Sequence, residues 1–419
     1  MRISIVAYGT WGDVRPGIAL GQALKQAGFD VQIIVTEDFV EWVKDTGLDF
    51  HLLPINAHDV LKQVSVEAGL LPGIFGNQPI AAALLKAGQD LIAVARSKTD
   101  VLIVNEWLIG IASGIAETYH LKLINMAMQP RIKTREHPIS SMPVLPVWMP
   151  FRGIYNSLTY DAVYFAQWRN YVRIGNSLRQ TPLNLPPLSP SGNLDLLANT
   201  PSITLISPQI VPHPSDWDHH HYLTGFLFYD DEGWKPPAEL MDFLDSGPAP
   251  IYVGFGSLHD PHPTVTTRLI LRALELSNQR AVLHSGWAEL GQVDLPENIY
   301  RLDYAPHSWL FPRMAAVVHH AGAGTSAAAL RAGIPSVPVP HSGDQPFWAR
   351  TLYQIGAGTR SLAWRRLNAD DLAQRITVAV TDTCLRKQTA ELGRRIVAED
   401  GAGATVSAIE RILERDTKL

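Results

Sequence analysis

Two short polar clusters in the downstream part of the chain hold residue types suited to gripping an anion and a sugar. The first is His319-His320-Ala321-Gly322-Ala323-Gly324-Thr325-Ser326. Glycines there let backbone N–H groups approach a ligand closely. The next run, Ala327 to Ala332, is a good helix stretch stopped by Gly333 and Pro335, so the cluster opens a helix. A helix N-terminus presents unpaired N–H groups and the positive end of the backbone dipole, and Thr325 and Ser326 add hydroxyls. A lone glycine turn would more simply pack a helix on a sheet. Two histidines and two hydroxyls at the same turn instead imply a phosphate. The second cluster, His341-Ser342-Gly343-Asp344-Gln345-Pro346-Phe347-Trp348, supplies short polar groups suited to sugar hydroxyls. Together the clusters point to a nucleotide-sugar.

Other residues invite a chemical reading and fail it. His219-His220-His221 lacks the carboxylate or cysteine spacing of a metal site, and consecutive side chains diverge, so it reads as a surface loop. No Asp-x-Asp motif accompanies either polar cluster to hold a metal against a diphosphate. Gly9-Thr10-Trp11-Gly12 lacks the Gly-x-Gly-x-x-Gly spacing that a dinucleotide-binding dehydrogenase wants.

The elements that must carry these clusters are strands and helices in alternation. Ile3 to Ala7 is an apolar strand, Gly9 to Asp13 a turn, Gly17 to Lys25 a helix and Val31 to Thr36 a second strand. That opening is a βαβ unit, and strands at Val101 to Asn105, Leu121 to Ala127 and Ser202 to Ser207 continue it. Downstream the plan repeats, with strands at Pro250 to Phe255, Ala281 to His284, Val317 to His319 and Ser336 to Val339. At 419 residues two domains are expected. The expected layout is residues 1–228, a linker at 229–238, and a second domain over 239–390. A helix in 391–419 would return to brace the first domain. The fold class is α/β, with two Rossmann-like doubly wound domains facing across a cleft and ligand at the carboxyl ends of the strands.

Composition narrows the partners. A net charge of −5 and no basic run argue against nucleic acid. The single cysteine, Cys384, suits a reducing compartment. No stretch reaches the roughly 18 apolar residues of a spanning helix, so a cytoplasmic protein is expected. Two apolar, proline- or glycine-punctuated stretches stand out, residues 69–76 with Leu71 and Phe75, and residues 142–151 with Met142 and Trp148. Large apolar surfaces usually bind something. These four residues and Trp11 are the candidate acceptor contacts, and a lip facing a membrane is the other reading of the 142–151 stretch.

The Gly-Thr-x-Gly-Asp-Val-x-Pro opening, Gly254-Phe255-Gly256-Ser257, Pro306-His307-x-Trp309-Leu310-Phe311, the His319–Thr325 turn and Gly343-Asp344-Gln345-Pro346-Phe347-Trp348 occur in that order. In this the chain resembles the UDP-glycosyltransferase superfamily of GT-B fold, nearest to its sterol 3-beta-glucosyltransferase and glycopeptide-antibiotic branches. The resemblance implies that Ser257, His320, Gly322, Gly324 and Thr325 hold the donor diphosphate and that Asp344 and Gln345 hold the hexose. It also implies a nucleobase site near Tyr304, Ala305 and His307, with the Ala305 backbone reading the uracil edge and Trp287 a competing stacking platform. Asp13 is implied as the general base, where desolvation by Trp11, Val14 and bound lipid would raise its pKa. The bland reading of Asp13 is a cap for the helix after Pro16, though it lies early for that. Glu106, after a strand, either orients the site or is solvated. Tyr304 and Ala328 stand where plant members carry tryptophan and a ribose-binding glutamate, which leaves UDP against TDP open.

The expected activity is therefore inverting, metal-independent transfer of a hexose, glucose first, from UDP to a hydroxyl of a lipophilic acceptor. Sterol, hopanoid, macrolide, flavonoid and glycolipid all fit as acceptor. The nucleotide-sugar is a co-substrate and no cofactor is expected. Expected partners are these two small molecules, a peripheral membrane contact, and at most a weak homo-oligomer. A non-hydrolysing UDP-sugar epimerase and an inactive nucleotide-sugar- or lipid-binding protein are the competing readings.

Overall fold

A computed structural model describes residues 1–63, 78–97 and 99–416 of the chain. Leu71 and Phe75 lie outside the described residues. The chain forms two compact units, one from Met1–Tyr229 together with the tail from Asp400 onward, the other Asp230–Glu399.

The first unit holds a seven-stranded sheet, ordered β3-β2-β1-β4-β5-β6-β7. Its strands are β1 (Arg2–Ala7), β2 (Asp30–Thr36), β3 (Asp49–Leu53), β4 (Val101–Val104), β5 (Lys122–Ala127), β6 (Ser202–Thr204) and β7 (His221–Leu223). All pair in parallel. Helices cover both faces of such a sheet, so its central strands read as continuous apolar runs. Ile3, Ile5 and Val6 of β1 are accordingly buried.

Several boundaries differ from expectation. The first helix spans Trp11–Gln26 and starts six residues before Gly17, with Pro16 inside it. Strand β3 carries Asp49 and His51 and has one buried residue, so it has no apolar run to announce it. His221 is not part of a surface loop. It opens β7, is 8% exposed, and lies 2.9 Å from Asp218. The linker expected at 229–238 is shorter, because Trp234 already packs on Trp309 within the second unit. The tail is two helices rather than one, Thr383–Val397 and Gly401–Asp416. Val406, Ile409 and Ile412 of the last one join Ile3, Ile5, Leu20 and Leu24 in one apolar cluster. Thr405 Oγ1 reaches Thr224 Oγ1 at 2.8 Å in the same region.

The second unit holds a five-stranded parallel sheet, ordered β10-β9-β8-β11-β12. These are β8 (Ile251–Gly254), β9 (Ala281–His284), β10 (Ile299–Leu302), β11 (Val317–His319) and β12 (Ser336–Pro338). Strand order reverses at β1 in one unit and at β8 in the other. Ligands of open α/β sheets bind where that reversal parts the loops at the carboxyl ends. Asp13 follows β1, Ser257 follows β8, and the His320–Thr325 turn follows β11, the neighbour of β8. Both switch points therefore carry candidate site residues.

The last helix contributes core and not mere length. Ile409 is fully buried. Ile409→Ala is expected to lower unfolding free energy by about 2–4 kcal/mol, measured by urea denaturation. An unchanged midpoint would show the helix to be an appendage.

Candidate functional site

In the second unit the glycine-bearing turns after β8 and β11 lie side by side, because His319 is paired with Gly254 in the ladder. The His320 ring fills the space that side chains would take. A Cβ on Gly256 would stand 2.7 Å from His320 Cε1, and one on Gly322 would stand 2.3 Å from Nε2. Gly256 has φ +62° and so needs a residue that tolerates the left-handed region. Ala321 occupies that region too, at φ +62°. Gly322 caps the helix Ala323–Ala332 through extended backbone without a side-chain cap. Its first N–H groups therefore lack the partner that a capping side chain would supply. A Cβ on Gly324 would meet nothing within 4 Å, so the turn is open there.

Three histidines around this turn are neutral near pH 7. Burial lowers His319 to about 3, with His320 adding to the effect, and burial lowers His320 to about 4. His341, after β12, is lowered to about 3 by burial first and by His320 second. His319 Nδ1 accepts the Ala321 N–H at 3.2 Å, which places its proton on Nε2. His341 stacks on Trp364 with centroids 4.1 Å apart, and Phe255 meets both rings edge-on. This aromatic support under the turn joins residues far apart in sequence, so no local pattern announced it.

The remaining candidates of this unit fall on the other strand ends. Gln345 Oε1 accepts the N–H groups of His341 (2.7 Å) and Ser342 (3.1 Å). That directs its amide nitrogen away from the backbone it caps. Asp344 Oδ2 accepts the Trp348 indole N–H at 2.9 Å, fixing its carboxylate at the start of the helix Gln345–Gln354. Trp287, after β9, is tied to the first turn by its N–H to the Gly256 carbonyl, 3.3 Å. Tyr304 donates its hydroxyl to Asp231 at 3.2 Å. Ala305 is buried in the core, and His307 stacks on Phe311 at 4.2 Å. The five strand ends thus carry, in sheet order, residues 304–307, 285–287, 256–257, 320–325 and 341–345. With neighbouring strands about 4.8 Å apart, they span roughly 19 Å.

In the first unit Asp13 lies in the first turn of the helix Trp11–Gln26, three residues after the capping Thr10. Its Oδ2 accepts the Thr10 N–H at 2.9 Å and the Thr10 hydroxyl at 3.3 Å, while Thr10 Oγ1 accepts the Gly12 N–H at 3.1 Å. This reciprocal box corrects the view that Asp13 is too early to cap: the helix begins upstream of Pro16. Gly9 makes room for the carboxylate, since a Cβ there would stand 2.3 Å from Oδ2. Tyr8, which the sequence did not single out, lies at the same turn. Burial, and then the Asp13 charge, push its hydroxyl up to about 12, so it stays protonated beside the carboxylate.

Glu106 is not solvated. Its carboxylate is 6% exposed, 3.6 Å from Arg131 Nε, and accepts the Gln129 amide at 3.0 Å. Gln129 in turn accepts the Ser140 hydroxyl at 2.6 Å. Trp11 packs edge-on against Phe39 and Trp42, at 4.7 and 4.8 Å. Met142 packs on Ile139, Tyr160 and Tyr164, whereas Trp148 is 79% exposed. Trp11 and Trp148 thus sit in different surroundings. Among the described residues no group of three or more His, Cys, Asp or Glu is arranged to hold a metal ion.

Comparison with known proteins follows the same division. Residues 3–138 match the glycosyltransferase family 28 N-terminal domain, and residues 278–411 match the C-terminal domain of erythromycin biosynthesis protein CIII-like proteins. A sterol 3-beta-glucosyltransferase of Arabidopsis thaliana is 34% identical over 97% of the chain, which spans 65% of that relative's length. Arabidopsis thaliana UGT89C1 complexed with UDP superposes with a TM-score of 0.69 at 16% identity, covering 99% of both chains. Glycosyltransferase VinC in complex with DTDP superposes at 0.65 and 19% identity, covering 99% of this chain and 100% of that one.

The desolvation of these three histidines makes stability depend on pH. A folded pKa near 3 or 4 lies below the unfolded value of about 6.5. Between those values the unfolded chain binds the proton and the folded chain does not, so stability falls as pH falls. His319→Gln is expected to reduce the slope of unfolding free energy by about one proton, about 1.4 kcal/mol per pH unit, between roughly pH 6 and 4.5. Chemical denaturation across that window measures it.

Proposed function

Because the chain belongs to the UDP-glycosyltransferase superfamily of GT-B fold, we propose that it is an inverting hexosyltransferase. It moves glucose from UDP to a hydroxyl of a lipophilic, sterol-like acceptor and needs no metal. The observation that carries this reading is the pair of adjoining glycine turns after β8 and β11, with neutral His320 between them and a helix N-terminus behind. The similarity to a sterol 3-beta-glucosyltransferase supports the acceptor class.

In the reaction the acceptor hydroxyl is a poor nucleophile until its proton leaves. Asp13 takes that proton. Its carboxylate is aligned by two bonds from Thr10 and kept in place by the absence of a Gly9 side chain. The acceptor oxygen attacks the anomeric carbon as the bond to the diphosphate breaks on the opposite face, which inverts the centre. The electron pair departs with UDP, whose terminal phosphate gains charge.

Donors fixed before reaction stabilise that charge more in the transition state than in the ground state. Here they are the N–H groups opening the helix Ala323–Ala332, the hydroxyls of Thr325 and Ser257, and His320 as a neutral donor. Asp344 and Gln345 receive the hexose hydroxyls, each already held by a neighbour. Trp287 or Tyr304 stacks the base, and Ala305 offers its backbone to it. The helix-end donors supply the compensating charge that a divalent ion supplies in other nucleotide-sugar sites.

Asp13→Asn is expected to lower kcat by about 10²–10⁴ and to leave UDP affinity unchanged within experimental scatter. UDP release from UDP-glucose across a panel of hydrophobic alcohols, beside a UDP titration, measures both. Turnover equal to the wild type would remove Asp13 from the mechanism. Release that no alcohol stimulates would remove the acceptor class.

A further inference from the structure

One helix of the first unit wears its polarity the wrong way round. In Arg152–Gln167 the inward positions include Asn156, Thr159, Tyr160 and Tyr164, all buried. Ile154, Leu158 and Phe165 occur at helical spacing on the opposite face and are 47%, 58% and 51% exposed. A helix facing water carries the reverse pattern. The loop that leads into it adds Val147, Trp148 and Phe151, at 82%, 79% and 77% exposed. Residues 144–165 hold seven of the fourteen exposed large hydrophobic side chains among the described residues, in about a twentieth of the chain. Phe151 holds its ring outward from left-handed backbone, φ 60°, a conformation unfavourable for a bulky residue. The arrangement is a concentrated apolar face, not scattered surface hydrophobes.

Charge says what covers it. The whole chain is acidic, at −5, but residues 131–173 carry six Lys and Arg against two Asp and Glu, and five of the six remain when Arg131, buried against Glu106, is set aside. The only acid of the helix, Asp161, is paired with Lys133 at 2.6 Å. Arg169 and Arg173 follow the apolar face in sequence and are exposed. Exposed tryptophan and phenylalanine with flanking arginine suit the interface of an anionic bilayer, where aromatic rings sit at headgroup level and cations meet lipid charge.

We propose that residues 144–173 dock this protein onto an anionic lipid surface, with Trp148, Phe151, Leu158 and Phe165 entering the interface and Arg169 and Arg173 meeting the headgroups. This concerns how the protein reaches a membrane and is independent of the reaction assigned above.

Co-sedimentation of the full chain with vesicles tests it, using phosphatidylcholine alone and equimolar phosphatidylcholine and phosphatidylglycerol. Binding to the anionic vesicles is expected, weakening as salt rises. The variant F151S/L158S/F165S is expected to bind at least about tenfold more weakly with an unchanged melting temperature, and R169Q/R173Q is expected to lose the preference for anionic lipid. Absence of wild-type binding to either vesicle, or equal binding by the apolar variant, would overturn the proposal. So would a wild-type dimer in sedimentation velocity that the apolar variant converts to monomer, because the face would then belong to a second copy of the chain.

Discussion

The second unit depends on one steric constraint: two parallel strands must end in turns that carry glycine on either side of the His320 ring. A Cβ on either Gly256 or Gly322 would collide with the His320 ring. With both glycines in place, the ring is held among packed atoms and cannot easily charge. The same omission of side chains brings backbone N–H groups and a helix N-terminus to the surface. The steric and electrostatic properties of the turn, and the binding proposed for it, therefore share a cause. His319 and His341 extend it, one by its bond from the Ala321 N–H and the other by stacking on Trp364.

Asp13 shows a second kind of sharing. Its carboxylate closes a capping box that starts the helix Trp11–Gln26, and the bonds that do so also orient it. A structural role and a chemical one are often weighed as rivals. Here the bonds that make the cap also fix the carboxylate, as the role of general base proposed above would require, and Gly9 supplies the room. Tyr8 adds a protonated hydroxyl to the same turn, and the buried Glu106–Arg131 pair with Gln129 and Ser140 lies on the neighbouring strand ends. A buried ion pair of that kind is weak evidence for stability in itself.

Much of this was legible in the sequence because glycines and apolar runs are local signals. The strand read at Val317–His319 is found there, that read at Pro250–Phe255 is found at Ile251–Gly254, and the helix stretch read at Ala327–Ala332 belongs to the helix Ala323–Ala332. What was hidden depended on distant partners or on atypical composition. Gly12 and Pro16 disguised the true start of the first helix. The edge strand Asp49–Leu53 carries polar residues and showed no run. The pairing of Glu106 with Arg131 and of His341 with Trp364, and the burial of His221, are set by tertiary neighbours that no spacing encodes. The exposed apolar stretch around Trp148 was visible as composition, but the inverted polarity of the helix after it required knowing which face is inward.

The central claim is that the turns after β8 and β11 bind a diphosphate. Calorimetric titration of UDP and of uridine into the same protein at pH 7 tests it most directly, because the two differ only in the group the turns would hold. UDP is expected to bind at least about 100-fold more tightly, about 2.7 kcal/mol, with the difference shrinking in a Gly322→Ala protein whose fold is intact. Equal affinity for UDP and uridine would contradict the account.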